Sequence, residues 1–239
     1  MRCLWRSEID PQCNALMERQ RPNVPNLGDV RNVGRHNAAA VDVICGGDPC
    51  PKHSGARSNG QSRTADLSGY FLAVVGRLRP RWVVRENVLA PTVEYFDAAL
   101  VALGYGTTIV RLDASKITGQ HRIRDFVIGC YQASRAELRQ LFSDCQDGTW
   151  DDAPCLTTQQ ITPCLTTHRT RYDSCDCYIL EPRGFRILDG DERERLAGFP
   201  AGWTAGFSET ARARFCGNAV VPEEAEWLGR RIVEAEVLL

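Results

Sequence analysis

The sequence predicts an α/β fold, in which strands and helices alternate along the chain. Apolar runs of strand length end near Gly46 and near Glu86. A stretch with the apolar period of a helix follows each run, and glycine, proline and polar residues separate the segments. With 239 residues, 43% of them hydrophobic, the chain can bury a substantial core.

The first half of the chain contains three predicted strands and three predicted helices. Asp10 and Pro11 form an N-cap and first-turn pair, while Pro80 and Gly104 are typical helix stops. In order, we predict a strand over 2–9, a helix over Pro11–Arg19, a turn over Asn26–Val30, a strand over Val41–Cys45, a loop over Gly46–Arg63, a helix over Asp66–Leu78, a strand over Trp82–Val88 and a helix over Thr92–Leu103.

The second half changes in texture after residue 132. Residues 133–180 are rich in threonine, cysteine and aspartate, and the pentapeptide Pro-Cys-Leu-Thr-Thr occurs there twice. We therefore predict three parts, 1–132, a small inserted region 133–180, and 181–239. The predicted elements are strands over Thr107–Leu112 and Asp125–Tyr131, helices over Ser134–Leu141, Asp191–Leu196 and Pro222–Leu239, and a turn over Phe215–Pro222.

Composition excludes several classes of protein. The net charge of -1 is not that of a strongly basic nucleic-acid binder. No apolar run is long enough to span a membrane, and the charged N-terminus does not resemble a signal peptide. The 11 cysteines occur in a chain that does not need a disulfide framework, which predicts reduced thiols and a cytoplasmic location.

Two residues with reactive side chains lie at or just after the ends of predicted strands. Cys50 lies just after Gly46-Gly47, and Glu86 lies at the end of the next strand. Strand ends at one edge of a sheet would bring a thiol nucleophile and an acid together. One hypothesis is a Cys–His hydrolase, because His53 is near Cys50 in the sequence. The sequence places no third group that would orient the histidine. The other cationic candidates for activating the thiol are Lys52, Arg122 and Arg124.

Five motifs in order resemble the DNA (cytosine-5)-methyltransferases. They are Gly46-Gly47-Asp48-Pro49-Cys50 with Ser54, Glu86-Asn87-Val88, Gln120-His121-Arg122-Ile123-Arg124, the segment Glu192–Pro200 that ends in Gly-Phe-Pro, and Gly217-Asn218-Ala219-Val220-Val221-Pro222. Pro51 stands where many members have glutamine. The resemblance implies a class I S-adenosylmethionine-dependent methyltransferase fold with a Rossmann-like sheet and a small target-recognition domain at 133–180.

The resemblance also implies a mechanism. Cys50 would add to C6 of a flipped cytosine, Glu86 would bind the N3/N4 edge, and Asn87 would brace the loop. Arg122 and Arg124 would hold the base carbonyl and the adjacent backbone. Ser54 and Gln120 would contact DNA, and S-adenosylmethionine would meet Glu8, Ile9, Asp29, Val30, Pro49, Asn218 and Val220.

The expected partner is double-stranded DNA, with a restriction endonuclease as a candidate and a monomer as the expected state. Methylation of cytosine in RNA is an alternative, although 133–180 lacks an aromatic stacking cluster. A non-catalytic DNA-binding remnant, or one subunit of a split enzyme, is another. We predict no metal site, because the cysteines of 133–180 lack the spacing of structural zinc ligands.

The family's opening strand and its Phe-x-Gly-x-Gly turn, which hold the methionine end of the cofactor, have no counterpart in this sequence. We therefore expect a sheet without its first strand and weak binding of S-adenosylmethionine by the 239-residue chain. Isothermal titration calorimetry tests this expectation: heats too small to fit are the predicted result, and a tight, saturable isotherm would contradict it.

Overall fold

A computed structural model of the chain describes residues 1–48, 67–88, 91–143, 164–165 and 178–239. The helices are α1 (Pro11–Gln20), α2 (Ser68–Leu78), α3 (Pro91–Ala102), α4 (Ser115–Thr118), α5 (Arg135–Leu141), α6 (Gly190–Leu196), α7 (Glu209–Asn218) and α8 (Pro222–Leu238). The strands are β1 (Val43–Gly46), β2 (Trp82–Asn87), β3 (Tyr105–Asp113), β4 (Ile123–Tyr131), β5 (Tyr178–Glu181) and β6 (Gly184–Ile187). The predicted α/β class is confirmed.

Four strands form one sheet in the order β1-β2-β4-β3. β1 runs parallel to β2, with Gly46 opposite Arg85. β2 runs antiparallel to β4, with Glu86 opposite Phe126. Because β1 and β2 are parallel, their carboxyl ends, which carry Asp48 and Glu86, lie at the same edge of the sheet.

The chain divides into two compact units. The first comprises 1–112, 124–150 and 230–239, and the second 113–123 and 151–229. α2 and α3 cover the sheet of the first unit with a core that includes Phe71, Val75, Val83, Phe96 and Leu100. The three-part division predicted from the sequence stays a prediction.

The predicted strand over 2–9 is wrong. Only Arg6 pairs in β fashion, through an isolated parallel bridge to Asn26. Backbone hydrogen bonds join Arg6 to Pro25 and Leu27, and the Ser7 hydroxyl donates to the Gly28 carbonyl. The two short segments pair with each other and belong to neither sheet in the described part of the chain.

Sequence patterns missed a hairpin and most of a helix in the second unit. β5 and β6 form an antiparallel hairpin. Residues 215–218, predicted as part of a turn, are the last turn of α7. α7 buries Arg212 as well as apolar residues, so its sequence lacks the apolar stripe that predicts a helix. Within this unit Leu165, Leu188, Ala197 and Cys216 form a small core.

A buried carboxylate fixes the turn after α6. Glu194 is fully buried, and its carboxylate accepts hydrogen bonds from the Gly202 amide at 2.8 Å and the Thr204 amide at 2.6 Å. Arg212 donates to the same carboxylate at 3.0 Å. Burial alone would raise the pKa of Glu194, but hydrogen bonds from Thr204 and Arg212 outweigh it and hold the pKa below its ordinary value.

Replacing Glu194 with Gln is expected to lower the free energy of unfolding at pH 7 by about 3 kcal/mol, because it breaks a buried ion pair. A depressed pKa stabilises the fold above the unfolded pKa of about 4.3, and this stabilisation is lost as pH falls through the folded pKa. Urea titrations should therefore show a wild-type advantage that shrinks below about pH 4. Glu234→Gln, at a side chain 62% exposed, is the control. An advantage independent of pH would contradict the assignment.

Candidate functional site

Glu86 and Arg124, two of the residues singled out in the sequence, form a salt bridge across neighbouring strands. The Arg124 Nε lies 2.9 Å from the Glu86 Oε1, and both side chains are 14% exposed. β2 and β4 pair so that Glu86 faces Phe126, which makes Arg124 its diagonal neighbour. The carboxylate is therefore held at the end of β2, yet it remains partly open to solvent.

The segment after β1 approaches Glu86 closely. A Cβ on Gly47 would lie 3.1 Å from the Glu86 Oε2 and 3.3 Å from the Glu86 carbonyl oxygen, so glycine suits this contact. Asn87, which is 4% exposed, donates from its amide to the Asp48 carbonyl at 3.4 Å. The backbone at 47–48 thus lies against the end of β2.

An ion pair buried on both sides joins the same two strand ends. The Arg85 Nε donates to the Asp48 Oδ1 at 2.5 Å, and the Arg85 Nη2 donates to the Asp48 Oδ2 at 2.9 Å. The two side chains are 0% and 4% exposed. Ser68, the first residue of α2, donates its hydroxyl to Asp48 and accepts from Arg85 at 3.2 Å. Asp48, Ser68 and Arg85, which are far apart in sequence, therefore contact one another. Arg85 directly precedes Glu86 in the sequence.

Cys50, Pro49 and Ser54 lie outside the described residues, so their assigned roles stay predictions. The structure does describe the residues on both sides of that segment. Asp48 precedes it and Ser68 follows it, and the two side chains are hydrogen bonded to each other. Cys50 is two residues from Asp48 in the sequence.

Arg122 is buried within the second unit, with 3% exposure. Its guanidinium donates to the Gly217 carbonyl at 3.2 Å and to the Ala219 carbonyl at 2.8 Å. These carbonyls flank Asn218, so Arg122 anchors the segment to which Asn218 and Val220 belong. Its predicted contact with a substrate base stays a prediction.

Gln120 is also buried in the second unit, with 1% exposure. Its amide nitrogen donates to the Leu196 carbonyl at 3.0 Å, and its amide oxygen accepts from the Leu165 amide at 3.1 Å. Both ends of the side chain therefore link parts of this unit, and the predicted contact of Gln120 with DNA stays a prediction.

The carboxylates predicted to meet the cofactor follow the paired segments near the N-terminus. Glu8 accepts hydrogen bonds from the amides of Ile9 and Asp10, each at 2.7 Å. Asp29 accepts from the Arg31 guanidinium and from the Arg31 amide at 2.9 Å. The side-chain hydrogen bond from Arg31 lowers the pKa of Asp29 to about 2, so this carboxyl is ionised at neutral pH.

This arrangement fits the adenosine half of S-adenosylmethionine. Arg6 pairs with Asn26, and the backbone of Glu8 is hydrogen bonded to the Asn26 side chain, so the segment that leads to Asp29 starts beside Glu8. Carboxylates are suitable acceptors for ribose hydroxyls and for an adenine amino group. Ile9 is 65% exposed and offers an apolar surface next to them. Within the described residues, no group of three or more His, Cys, Asp or Glu side chains is arranged to hold a metal ion.

Sequence reasoning did not identify Arg85 as part of this site. The available signal was a charged residue directly after the apolar run Trp82-Val83-Val84, because a buried charge requires a partner. The partner could not be identified, since the pairing of Asp48 with Arg85 depends on how β1 and β2 align.

No helix in the described part of the chain has both the length and the apolar character needed to cross a bilayer.

Comparison with known proteins identifies the fold and the family of the chain. The structure has the fold of a class I S-adenosylmethionine-dependent methyltransferase. It superimposes on DNMT2 of Spodoptera frugiperda, crystallised as a triple-alanine mutant, with a TM-score of 0.69 and 15% identity over 96% of this chain and 92% of that one. The family model for C-5 cytosine-specific DNA methylase matches residues 1–154 and 139–234. The chain belongs to that family.

Two curated relatives are type II methyltransferases. M.HindV of Haemophilus influenzae is 37% identical over 111 residues, which cover 42% of this chain and 36% of the relative. M.HgiDI of Herpetosiphon aurantiacus is 38% identical over 104 residues, which cover 41% of this chain and 33% of the relative. The matched part of the chain thus spans about a third of each of these relatives.

Arg122→Met is expected to lower the free energy of unfolding by about 2 kcal/mol, because the Gly217 and Ala219 carbonyls lose charged donors. The measurement is urea unfolding followed by circular dichroism. Arg183→Met, at an exposed position between β5 and β6, should change stability little. Equal stability of the Arg122 and Arg183 variants would show that Arg122 does not anchor this segment.

Proposed function

We propose that this chain methylates C5 of cytosine in double-stranded DNA through a covalent bond between Cys50 and C6 of a flipped base. The observation that carries the proposal is the carboxylate of Glu86. It lies at the carboxyl end of β2, is paired with Arg124, and is in close approach to Gly47, three residues before Cys50.

The chemistry requires a nucleophile and an acid partner because cytosine C5 is a poor nucleophile. The Cys50 thiolate forms a bond to C6, and the π electrons of the C5–C6 bond move toward C5 and the N3–C4 edge. Glu86 accepts a hydrogen bond from the N4 amino group and favours protonation of N3, which stabilises the negative charge created by the attack. C5 then carries a reactive electron pair.

S-adenosylmethionine, when bound, supplies the methyl group that C5 takes up. The residues that would hold its adenosine half are Glu8, Ile9, Asp29 and Val30. The cofactor contacts predicted for Asn218 and Val220 rest on the family's C-terminal motif, which Arg122 anchors within the second unit. After transfer, the C5 proton leaves as a base removes it, the Cys50–C6 bond breaks, and the ring regains its double bond. The thiolate is then ready for another cycle.

The remaining residues orient the base and the loop. Arg124 faces Glu86, and its guanidinium is a suitable donor to the O2 carbonyl of the base. Asn87 braces the backbone of Asp48 through its amide. Cytosine inside a duplex is out of reach of these groups, so the base must be flipped out before reaction.

DNA is the proposed substrate because the matched family model is that of DNA methylases and the two curated relatives are named type II methyltransferases. Type II methyltransferases belong to restriction-modification systems, which makes a cognate endonuclease the proposed biological partner.

A trapping experiment tests the proposal. A 5-fluorocytosine base cannot lose its C5 substituent as a proton, so the Cys50–C6 bond persists after methyl transfer. The chain is incubated with a mixed-sequence 5-fluorocytosine duplex and a large excess of S-adenosylmethionine, because weak binding of the cofactor is expected. The product is analysed by denaturing electrophoresis and peptide mass spectrometry. We expect an adduct at Cys50, none with Cys50→Ala, and a yield reduced by about 100-fold with Glu86→Gln.

The same incubation with a 5-fluorocytosine RNA separates the substrate classes. An adduct with RNA and none with DNA would contradict the proposed substrate. Absence of an adduct with either polymer, under conditions in which an added cytosine-5 methyltransferase of established activity reacts, would contradict catalysis by the chain itself.

A further inference from the structure

The structure assigns Arg85 and Asp48 a positioning role in the cytosine reaction. We propose that their buried ion pair fixes the point at which the Cys50-bearing segment leaves β1 relative to the carboxylate of Glu86. The inference rests on the proposed function, because it takes Cys50 and Glu86 as the reacting pair, and it concerns residues that act through them without touching the base.

Arg85 contacts both ends of the segment that contains Cys50. Before that segment, its guanidinium holds Asp48 through two hydrogen bonds of 2.5 and 2.9 Å. After it, the guanidinium donates to the hydroxyl of Ser68 at 3.2 Å, and Ser68 in turn donates to Asp48. The residues on both sides of the segment are thus held by one buried charge.

The direction of the guanidinium is fixed by two more contacts. Its Nη1 donates to the carbonyl of Thr92 at 3.2 Å, and its carbon lies 4.6 Å from the ring centroid of Phe96. Both partners belong to α3. The orientation of Arg85 is therefore defined by α3, by Ser68 at the start of α2, and by Asp48 just after β1. Lysine carries one ammonium nitrogen in place of the planar guanidinium, so it cannot form both hydrogen bonds to Asp48 and stack on Phe96.

Arg85 and Glu86 are consecutive residues of β2, and consecutive side chains of a strand point to opposite faces. Arg85 can therefore hold Asp48 while Glu86 stays paired with Arg124. The described backbone connects the two functions, because Asp48 is paired with Arg85 and Gly47 lies against Glu86. In the sequence, Cys50 follows Asp48 by two residues. Displacing Asp48 would move the thiol with respect to the carboxylate.

A stabilising role and a positioning role predict different results for an apolar replacement. Buried ion pairs and triads can often be exchanged for hydrophobic residues of similar volume without loss of stability. The triple variant Asp48→Leu, Ser68→Ala, Arg85→Met removes every charged group of the network. If the network only stabilises the fold, a triple variant as stable as wild type should also be as active. If the network positions the reacting groups through directed hydrogen bonds, the stable triple variant should remain impaired in activity.

The test uses exchange of the C5 hydrogen, which needs no methyl donor. Addition of the Cys50 thiolate to C6 lets C5 take a proton from water, and loss of the original hydrogen with expulsion of sulfur restores cytosine. Release of tritium from duplex DNA containing [5-³H]cytosine is measured for the full chain, the triple variant, Arg85→Lys and the control Arg81→Met. Arg81 is 41% exposed and paired with Glu236, away from this network.

For the triple variant we expect a thermal midpoint within about 3 °C of wild type and a maximal release rate lower by about 100-fold. The duplex concentration at half-maximal rate should change by less than about threefold. Arg85→Lys should lose about tenfold or more in rate. Release at the wild-type rate from either variant in its folded state would overturn the inference, and Arg81→Met should behave as wild type.

A second readout separates failure of the inference from failure of the proposed function. Iodoacetamide alkylation of Cys50 is followed by peptide mass spectrometry, with the exposed Cys3 as internal reference. No tritium release from the wild-type chain would contradict the proposed function. The alkylation ratio then decides the inference: a change of about threefold or more in folded Arg85→Lys supports positioning of the thiol, and an unchanged ratio overturns it.

Discussion

The guanidinium of Arg85 carries its charge where almost no water reaches it, and a charge in such a place must be fully paired. The geometry at one edge of the sheet follows from that requirement. Asp48 supplies both carboxylate oxygens, which draws the end of β1 onto β2, and the Ser68 hydroxyl draws in the start of α2. Glu86 is the next residue on β2, so the structural charge and the proposed catalytic carboxylate share one rigid piece of backbone.

The pairing of β2 with β4 makes a second connection. It places Arg124 diagonally from Glu86, so the carboxylate has a cationic neighbour and a defined direction at a partly exposed position. In the second unit Arg122, only two residues earlier, is buried and holds the turn around Asn218. The two arginines of one sequence motif therefore do different work in the structure: one orients a carboxylate, and the other fixes a backbone segment proposed to meet the cofactor.

Features set by neighbouring residues could be predicted from the sequence. The Asp10 N-cap places α1, and Gly104, with a φ of +89°, follows the end of α3. The strand over 2–9 failed because a strand is defined by its partner, and Arg6 pairs only with Asn26 in the described part of the chain. α7 was missed because its buried face includes Arg212, which is stabilised by tertiary ion pairs. The Asp48–Arg85 pair could not be predicted because it also depends on tertiary contacts, here the alignment of β1 with β2. Glu86 and Arg124 could be selected through their motifs.

The proposed reaction requires the thiol of Cys50 and the carboxylate of Glu86 to act on one flipped cytosine. A crystal structure of the chain trapped on a duplex that contains a single 5-fluorocytosine tests it most directly. We predict an extrahelical base bonded through C6 to the Cys50 sulfur, with the Glu86 carboxylate in hydrogen-bond contact with its N3/N4 edge and Arg85 still paired with Asp48. A base that stays stacked in the duplex, or a Glu86 side chain that makes no contact with the extruded base, would contradict it.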